Sequence, residues 1–216
     1  LVDRGVPVLR IGNPSRVNDK MLSFTYERRF EGHPAYTELW GIRKSIREMG
    51  NRMRKSSYSE LEAARSRINH LRERATELEI QINEDLFSGA RVIASTLVSS
   101  NHRILTGRRF TTLFIDEAAQ ALEAACWIAI RKADRVIFAG DHCQLPPTIK
   151  CIEAARNGLE QTLMEKVAAN KQETVSLLKV QYRMHQSIMQ FSSEWFYQGE
   201  LQAAPEVTSR GILDLD

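Results

Sequence analysis

Short hydrophobic runs that end in polar loops recur along this chain, and stretches with helical spacing separate them. The runs of strand length cover residues 6–11, 90–96, 113–115, 135–139 and 175–180. Polar or turn-forming residues directly follow four of these runs, all except 90–96, which is typical of buried strands in a parallel sheet. Strands that alternate with helices predict an α/β fold with a parallel, doubly wound sheet.

Residues 35–88 carry a different period, in which apolar positions alternate at spacings of four and three. Such a stripe predicts two helices that pack along one seam. The stripe positions are Ala35, Leu39, Ile42, Ile46, Met49 and Met53, then Leu61, Ala64, Ile68, Leu71, Ala75, Leu78 and Ile82. Residues 56–59 interrupt the pattern, and residues 59–62 form a capping box that restarts a helix. We expect a helical hairpin; the alternative is a dimeric coiled coil, which the short linker disfavours.

Three further helices are expected, and one segment has no clear pattern. A helix should follow Asp116-Glu117, and residues 151–169 are expected to be mostly helical. The last helix would bury a stripe of Met184, Ile188, Phe191 and Trp195. Residues 18–34 are polar and irregular.

Composition narrows the class of protein without deciding it. The 216 residues are 43% hydrophobic and 26% charged, with a net charge of +3, as in ordinary globular domains. No apolar run reaches 18 residues, so no transmembrane helix is expected. The three cysteines form no CxxC pair, which favours a reducing, cytoplasmic compartment. No histidine is interpreted as a metal ligand. Positive charge concentrates in residues 41–74, which hold ten Lys/Arg against four Glu.

Three polar segments follow strands 113–115, 135–139 and 175–180. They are Asp116-Glu117-Ala118-Ala119-Gln120, Gly140-Asp141-His142-Cys143-Gln144-Leu145-Pro146-Pro147 and Gln181-Tyr182-Arg183-Met184-His185. Open α/β sheets build their sites at the carboxyl ends of strands. A carboxylate at such a place suits Mg²⁺ beside a nucleotide. The alternative is that the acidic pair only caps the following helix.

In this order, the three segments resemble motifs II, III and IV of superfamily 1 nucleic-acid helicases. The most similar branch contains the nonsense-mediated-decay and immunoglobulin-mu-binding helicases. The resemblance runs from about residue 6 to about residue 201 and is weakest over 18–86. It implies a RecA-like P-loop NTPase fold, ATP and Mg²⁺ as cofactors, and a monomeric motor without membrane partners that moves 5′→3′ on single-stranded DNA or RNA.

The resemblance also implies roles for individual residues. Asp116 would hold Mg²⁺ through a water, and Glu117 would orient or deprotonate the attacking water. Gln144 would sense the γ-phosphate, on a loop that Asp141 organises. Arg183 would contact the phosphate on which charge develops. The alternatives are a loop-stabilising hydrogen bond for Gln144 and a salt bridge within its own helix for Arg183.

Contacts with nucleic acid are expected at two places. Ser95 and Thr96 follow a strand and resemble motif Ib, where hydroxyls bind phosphate oxygens; a strand-end cap is the alternative. Pro146 and Pro147 would stiffen a lever between nucleotide and nucleic acid. Basic side chains of residues 43–55 and 103–109 could track phosphates, or they could form only a solvated face.

The sequence contains no G-x-x-x-x-G-K-[ST], which would cradle the β- and γ-phosphates. We therefore expect an internal part of a longer helicase that cannot hydrolyse ATP alone. The expected domains are the start of the motor domain (1–34), the hairpin insertion (35–88), motor domain 1 (89–180) and the entry to motor domain 2 (181–216). Two alternative functions remain, a nucleic-acid-binding module and a regulatory ATPase that does not unwind.

Overall fold

Two compact units, Leu1–Arg109 and Phe110–Asp216, make up the chain. The structure is a computed structural model that describes residues 1–53 and 58–211, without the side chains of residues 16, 53 and 58–60. The helices are α1 (Asp19–Leu22), α2 (Tyr26–Glu31), α3 (Tyr36–Met53), α4 (Tyr58–Ser88), α5 (Glu123–Ile130), α6 (Ile152–Ala154), α7 (Leu163–Asn170) and α8 (Gln186–Phe196). The strands are β1 (Val8–Ile11), β2 (Val92–Ser95), β3 (Phe110–Ile115), β4 (Ala133–Phe138), β5 (Val180–Gln181) and β6 (Gln202–Ala203).

Within residues 1–53 and 58–211 every strand pair is parallel, as the hydrophobic runs predicted. The strands pair as β1 with β2, β3 with β4, and β5 with β6. Each of these pairs is a small sheet of two strands, connected by helices. The α/β fold with an incomplete parallel sheet is therefore confirmed.

The first unit pairs β1 with β2 and adds two helices that the sequence pattern missed. Val8, Leu9 and Ile11 of β1 are buried. Residues 18–34, expected to be irregular, contain α1 and α2 instead. The side chain of Asn18 accepts a hydrogen bond from the backbone N–H of Lys20 at 3.0 Å, which caps α1.

The predicted helical hairpin is present, and its apolar stripes meet. Leu39, Ala75, Leu78 and Ile82 form a buried cluster between α3 and α4. Around it pack the partly buried side chains of Phe30, Ala35, Tyr36, Ile42 and Leu86. The interruption at residues 56–59, the capping box at 59–62 and the stripe position Met53 lie wholly or partly outside the described residues and side chains.

In the second unit, one helical prediction needs correction and a second is confirmed. The helix after the acidic pair starts only at Glu123, because residues 118–120 form a 3-10 turn first. The stretch 151–169 is mostly helical, as predicted, and it is divided at Gly158, which has a left-handed φ of 96°. The second part, α7, begins at a capping box made by Thr162 and Glu165.

The predictions for the last strand and helix are partly wrong. Only Val180 of the run 175–180 belongs to a strand, because β5 (Val180–Gln181) pairs with just two residues of β6. In α8, the predicted buried stripe lies in solvent: Ile188, Phe191 and Trp195 are 65%, 67% and 73% exposed. Met189 and Ser193 face the protein instead.

No helix in the described ranges is both long and apolar enough to cross a membrane. The three cysteines, Cys126, Cys143 and Cys151, all carry free thiols.

Truncation of Ile82 should reveal how much the hairpin depends on its buried seam. Ile82 is fully buried, whereas Ile80 on the same helix is 58% exposed. We expect Ile82→Ala to lower the free energy of unfolding by about 2–5 kcal/mol, because it removes buried methyl groups and leaves a cavity. Urea denaturation followed by circular dichroism measures the loss.

The matched control is Ile80→Ala, which makes the same change in side chain and helix propensity. It should alter the free energy of unfolding by less than about 0.5 kcal/mol, as surface substitutions usually do. Equal effects of the two substitutions would show that the seam between α3 and α4 does not stabilise the fold.

Candidate active site

The two loops that carry most of the predicted site residues are joined through their backbones. Strand β3 ends opposite the end of β4, with Ile115 paired to Phe138. Beyond the strands, the N–H of Ala139 donates to the carbonyl of Ile115 at 2.8 Å, and the N–H of Ala118 donates to the carbonyl of Ala139 at 2.9 Å. The segment after the acidic pair is therefore fixed against the start of the loop at 140–147.

Gly140 makes this close approach possible. A Cβ atom at residue 140 would lie 2.9 Å from the backbone nitrogens of Ala118 and Ala119, and 3.0 Å from the sulfur of Met164. Backbone atoms cannot swing away as a flexible side chain can. A side chain here would therefore push the two loops apart.

The acidic pair stands in solvent at the end of β3. Asp116 and Glu117 are both exposed, and Oδ1 of Asp116 accepts a hydrogen bond from the N–H of Glu117 at 3.1 Å. Glu117 has a left-handed backbone, with φ 51° and ψ 39°. Non-glycine residues adopt this conformation rarely, and such strain clusters at functional sites. The side chain of Glu117 makes no capping hydrogen bond, so the helix-cap alternative has no support.

Asp141 organises the loop that carries Gln144, as predicted, and its hydrogen bond with the Gln144 side chain is the loop-stabilising alternative for Gln144. Its carboxylate accepts hydrogen bonds from the side-chain nitrogen of Gln144 at 3.0 Å, from the backbone N–H of Cys143 at 3.0 Å and from the hydroxyl of Tyr197. Burial acts to raise the pKa of Asp141, but the hydrogen bonds from Tyr197, Gln144 and Cys143 outweigh it, and the pKa is lowered. Asp141 is therefore a charged acceptor at neutral pH.

Arg183 sits in a turn that Gln181 holds. The side-chain oxygen of Gln181 accepts the backbone N–H groups of Arg183 at 2.8 Å and of Met184 at 2.9 Å. Its side-chain nitrogen donates to the carbonyl of Met184 at 2.8 Å. The side chain of Arg183 is exposed, and no ion pair to it occurs among residues 1–53 and 58–211. The predicted alternative, a salt bridge within its own helix, is therefore absent there.

The predicted nucleic-acid contacts are divided between the two units. Ser95 and Thr96 lie at the end of β2 in the first unit, and both are exposed. The hydroxyl of Thr96 donates to Ser99 Oγ at 2.9 Å and accepts from the N–H of Ser99 at 3.2 Å, which is the strand-end cap kept as an alternative. In the second unit, Pro146 is exposed and Pro147 is buried.

Two of the predicted phosphate-tracking side chains bind acidic partners. Arg43 contacts Glu79 at 2.6 Å, and Arg108 contacts Glu84 at 2.7 Å while it lies 3.9 Å from the ring centroid of Phe87. These contacts favour the alternative that these two arginines belong to a solvated surface on which positive and negative charges balance.

Two places offer donors for a metal ion. The side-chain donor atoms of Asp141, His142 and Cys143 lie within 4.8 Å of one another, although no histidine was predicted as a ligand. Mg²⁺ prefers oxygen, and both oxygens of Asp141 already accept hydrogen bonds, so this set does not fit Mg²⁺. Asp116 supplies an exposed carboxylate, which suits Mg²⁺ that also binds nucleotide phosphates.

Comparison with known proteins decides the family. Residues 2–151 match a family model described as an AAA domain, and residues 159–214 match a second model with the same description. The chain belongs to the superfamily 1 helicases. The motif resemblance is thereby confirmed, and the P-loop NTPase fold with it.

The relatives of this superfamily 1 helicase chain are much longer proteins. The DNA-binding protein SMUBP-2 of Rattus norvegicus is 34% identical over 96% of this chain and 22% of its own length. The DNA polymerase alpha-associated DNA helicase A of Schizosaccharomyces pombe is 31% identical over 100% of this chain and 33% of its own. A regulator of nonsense transcripts 1 homolog of Arabidopsis thaliana is 39% identical over 66% of this chain and 11% of its own.

Sequence reasoning named the candidate reactive side chains of this helicase chain, but it missed several residues that hold the motif segments in place. Gln181 and Gly140 belong to the quoted motifs, yet neither had a role. A glycine directly after a strand and before a polar loop is a signal of close backbone approach. Tyr197 carried no local signal, because its partner Asp141 lies 56 positions away.

Replacement of Gly140 by alanine tests the junction of the two loops. We expect Gly140→Ala to lower the free energy of unfolding by about 1–3 kcal/mol, because the new Cβ overlaps two backbone nitrogens. Thermal or urea unfolding of the chain measures the change.

Gly41→Ala is the matched control, since a Cβ at this position in α3 meets nothing within 4 Å. It should raise stability by about 0.5–1 kcal/mol, as alanine does in a helix interior. A Gly140→Ala variant at least as stable as the unsubstituted chain would contradict the close approach.

Proposed function

We propose that the intact protein containing this chain is an ATP-dependent helicase or translocase. It couples ATP hydrolysis to 5′→3′ movement on single-stranded DNA or RNA. Relatives with DNA-binding or DNA helicase in their names support the nucleic-acid part of this proposal. The chain spans only 22–33% of the length of those two relatives, so the activity belongs to the longer protein.

The observation that carries the proposal is the junction of the loops after β3 and β4. Backbone hydrogen bonds fix the segment that follows Asp116 and Glu117 against the start of the loop that carries Gln144. Phosphoryl transfer depends mainly on positioning and on charge stabilisation rather than on covalent chemistry. A rigid pair of strand-end loops, bearing carboxylates on one and an amide on the other, is suited to that task.

Each side chain has a role in this proposal. The carboxylate of Asp116 would hold Mg²⁺ through a water of hydration, and the ion would supply charge neutralisation at the phosphates. Glu117 accepts the proton of the attacking water, and its exposure leaves room for that water. Gln144 contacts the γ-phosphate, and Arg183 offers a guanidinium without an ion-pair partner among the described residues.

For nucleic acid, we propose that Ser95 contacts a phosphate oxygen, since its side chain is exposed at the end of β2. Thr96, whose hydroxyl is already engaged with Ser99, shapes the turn beside it and adds a weaker contact. Pro146 and Pro147 stiffen the loop after Gln144. The predictions of a monomeric motor, of a cytoplasmic location and of four domains with boundaries at 34/35, 88/89 and 180/181 stay part of this proposal.

A second candidate is a regulatory ATPase or binding module that does not unwind. The capped hydroxyl of Thr96 and the ion-paired Arg43 and Arg108 favour it, because they reduce the nucleic-acid contacts expected of a motor. A strand-displacement assay separates the two. ATP-dependent release of a labelled strand supports the helicase, and turnover without release supports the regulatory ATPase.

Substitution of Glu117 tests the catalytic proposal in the intact protein. We expect Glu117→Gln to lower kcat for ATP by about 10²–10⁴-fold, because the amide cannot accept the proton of water. The KM for ATP should change far less, because the amide is nearly the same size. Phosphate release with and without single-stranded DNA or RNA measures both constants.

Glu173→Gln is the control, an identical change at an exposed position of a 3-10 turn in the same unit. It should turn over ATP like the unsubstituted protein. Turnover by Glu117→Gln within twofold of that rate would remove Glu117 from the mechanism. The 216-residue chain alone should show no turnover, since it lacks a phosphate-binding loop.

A further inference from the structure

The carboxylate of Asp141 links two elements that are far apart in sequence. Its Oδ2 accepts a hydrogen bond from the Gln144 side chain at 3.0 Å and another from the Tyr197 hydroxyl at 2.5 Å. Its Oδ1 is bound by the backbone N–H of Cys143 at 3.0 Å. One oxygen atom is therefore shared by the amide proposed to contact the γ-phosphate and by a distant tyrosine.

The position of Tyr197 is fixed by its place at the end of α8, so it can anchor the loop of Gln144. It ends α8, and its backbone N–H donates to the carbonyl of Ser193 at 3.0 Å. The neighbouring carbonyl, on Phe196, accepts the thiol of Cys143 at 3.9 Å. The end of α8 thus touches the loop of Gln144 at two points, Asp141 and Cys143.

The protonation states suit this hydrogen bond. Burial, together with the nearby charge of Asp141, raises the pKa of the Tyr197 hydroxyl above its ordinary value. The phenol therefore stays protonated at neutral pH, where it donates, while the carboxylate of Asp141 is ionised and accepts. A charge-assisted hydrogen bond of this kind is stronger than one between neutral groups.

The Gln144 amide gains a defined orientation from this arrangement. Because its nitrogen donates to Asp141, its carbonyl oxygen is directed to the other side of the amide plane. That oxygen can accept a hydrogen bond from a water, and the second N–H can donate one to a phosphate. Without Asp141 in place, the amide could turn about its side-chain bonds.

We infer that Tyr197 is a positioning residue that sets Gln144 through Asp141. The inference rests on the proposed function, because it assigns Tyr197 to the same site. Helix α8 begins at Gln186, three residues after Arg183, and spans eleven residues, about 16 Å, before it reaches Tyr197. One helix therefore connects the turn that carries Arg183 to the anchor of Gln144.

The test is a double-mutant cycle in the intact protein, with single-stranded nucleic acid present. Tyr197→Phe removes one hydroxyl and keeps the ring. We expect it to lower kcat for ATP about fivefold to tenfold, with KM changed less than about twofold, because the hydrogen bond positions a group without binding ATP. In a Gln144→Ala background, the same substitution should change kcat by less than about twofold, because its target is gone.

Tyr26→Phe is the matched control, since it also removes a tyrosine hydroxyl bonded to a side chain, Asn83, at 2.8 Å. It should leave kcat unchanged. Single-turnover phosphate release keeps the slow Gln144→Ala variants measurable. Equal losses from Tyr197→Phe in both backgrounds would show a merely structural role, and no loss in the unsubstituted background would also overturn the inference.

The outcome separates this inference from the function on which it rests. If the unsubstituted intact protein does not hydrolyse ATP, the proposed function fails before Tyr197 is tested. If it hydrolyses ATP, loses activity with Glu117→Gln and tolerates Tyr197→Phe, only the role of Tyr197 fails.

Discussion

The candidate site depends on one backbone contact, the hydrogen bond from the N–H of Ala118 to the carbonyl of Ala139. It continues the pairing of β3 and β4 past the ends of both strands, into the segments that carry chemistry. Gly140 permits it, because a Cβ there would meet backbone nitrogen at 2.9 Å. Buried backbone N–H and C=O groups need hydrogen-bond partners. Because these two groups satisfy each other, the two loops are held at a fixed separation. The exposed carboxylates after β3 and the loop of Gln144 gain their order from this junction.

The hydrophobic pattern predicted those elements that pack against neighbours close to them in the sequence. The hairpin is an example, because the stripe positions Leu39 and Ile82 meet across two consecutive helices and bury each other. Strands β3 and β4 were equally readable from their short apolar runs. Asn18 and the Thr162–Glu165 capping box show that the starts of α1 and α7 also carried a readable local signal.

Other elements could not be predicted from pattern, because their burial depends on distant neighbours. The stripe of Ile188, Phe191 and Trp195 has perfect helical spacing, yet all three side chains stand in solvent. The run 175–180 has the composition of a strand, yet only its last residue pairs, with Gln202 of β6. Periodicity reports which side chains share a face, whereas the environment of that face is set by the rest of the fold.

The same limit applies to the site itself. Motif spacing pointed to Glu117, Gln144 and Arg183 as the reactive groups, because their chemistry is distinctive. Gly140, through its lack of a side chain, and Gln181, through its bonds to a turn, hold these groups without having had a predicted role. Asp141 was predicted to organise the loop, but the oxygen that it shares between Gln144 and Tyr197 was not. Such roles come from pairs of atoms brought together by folding, so no single position in the sequence carries them. A substitution outside the three motifs, such as one at Tyr197, can therefore still disorder the candidate site, through the contacts that hold its residues in place.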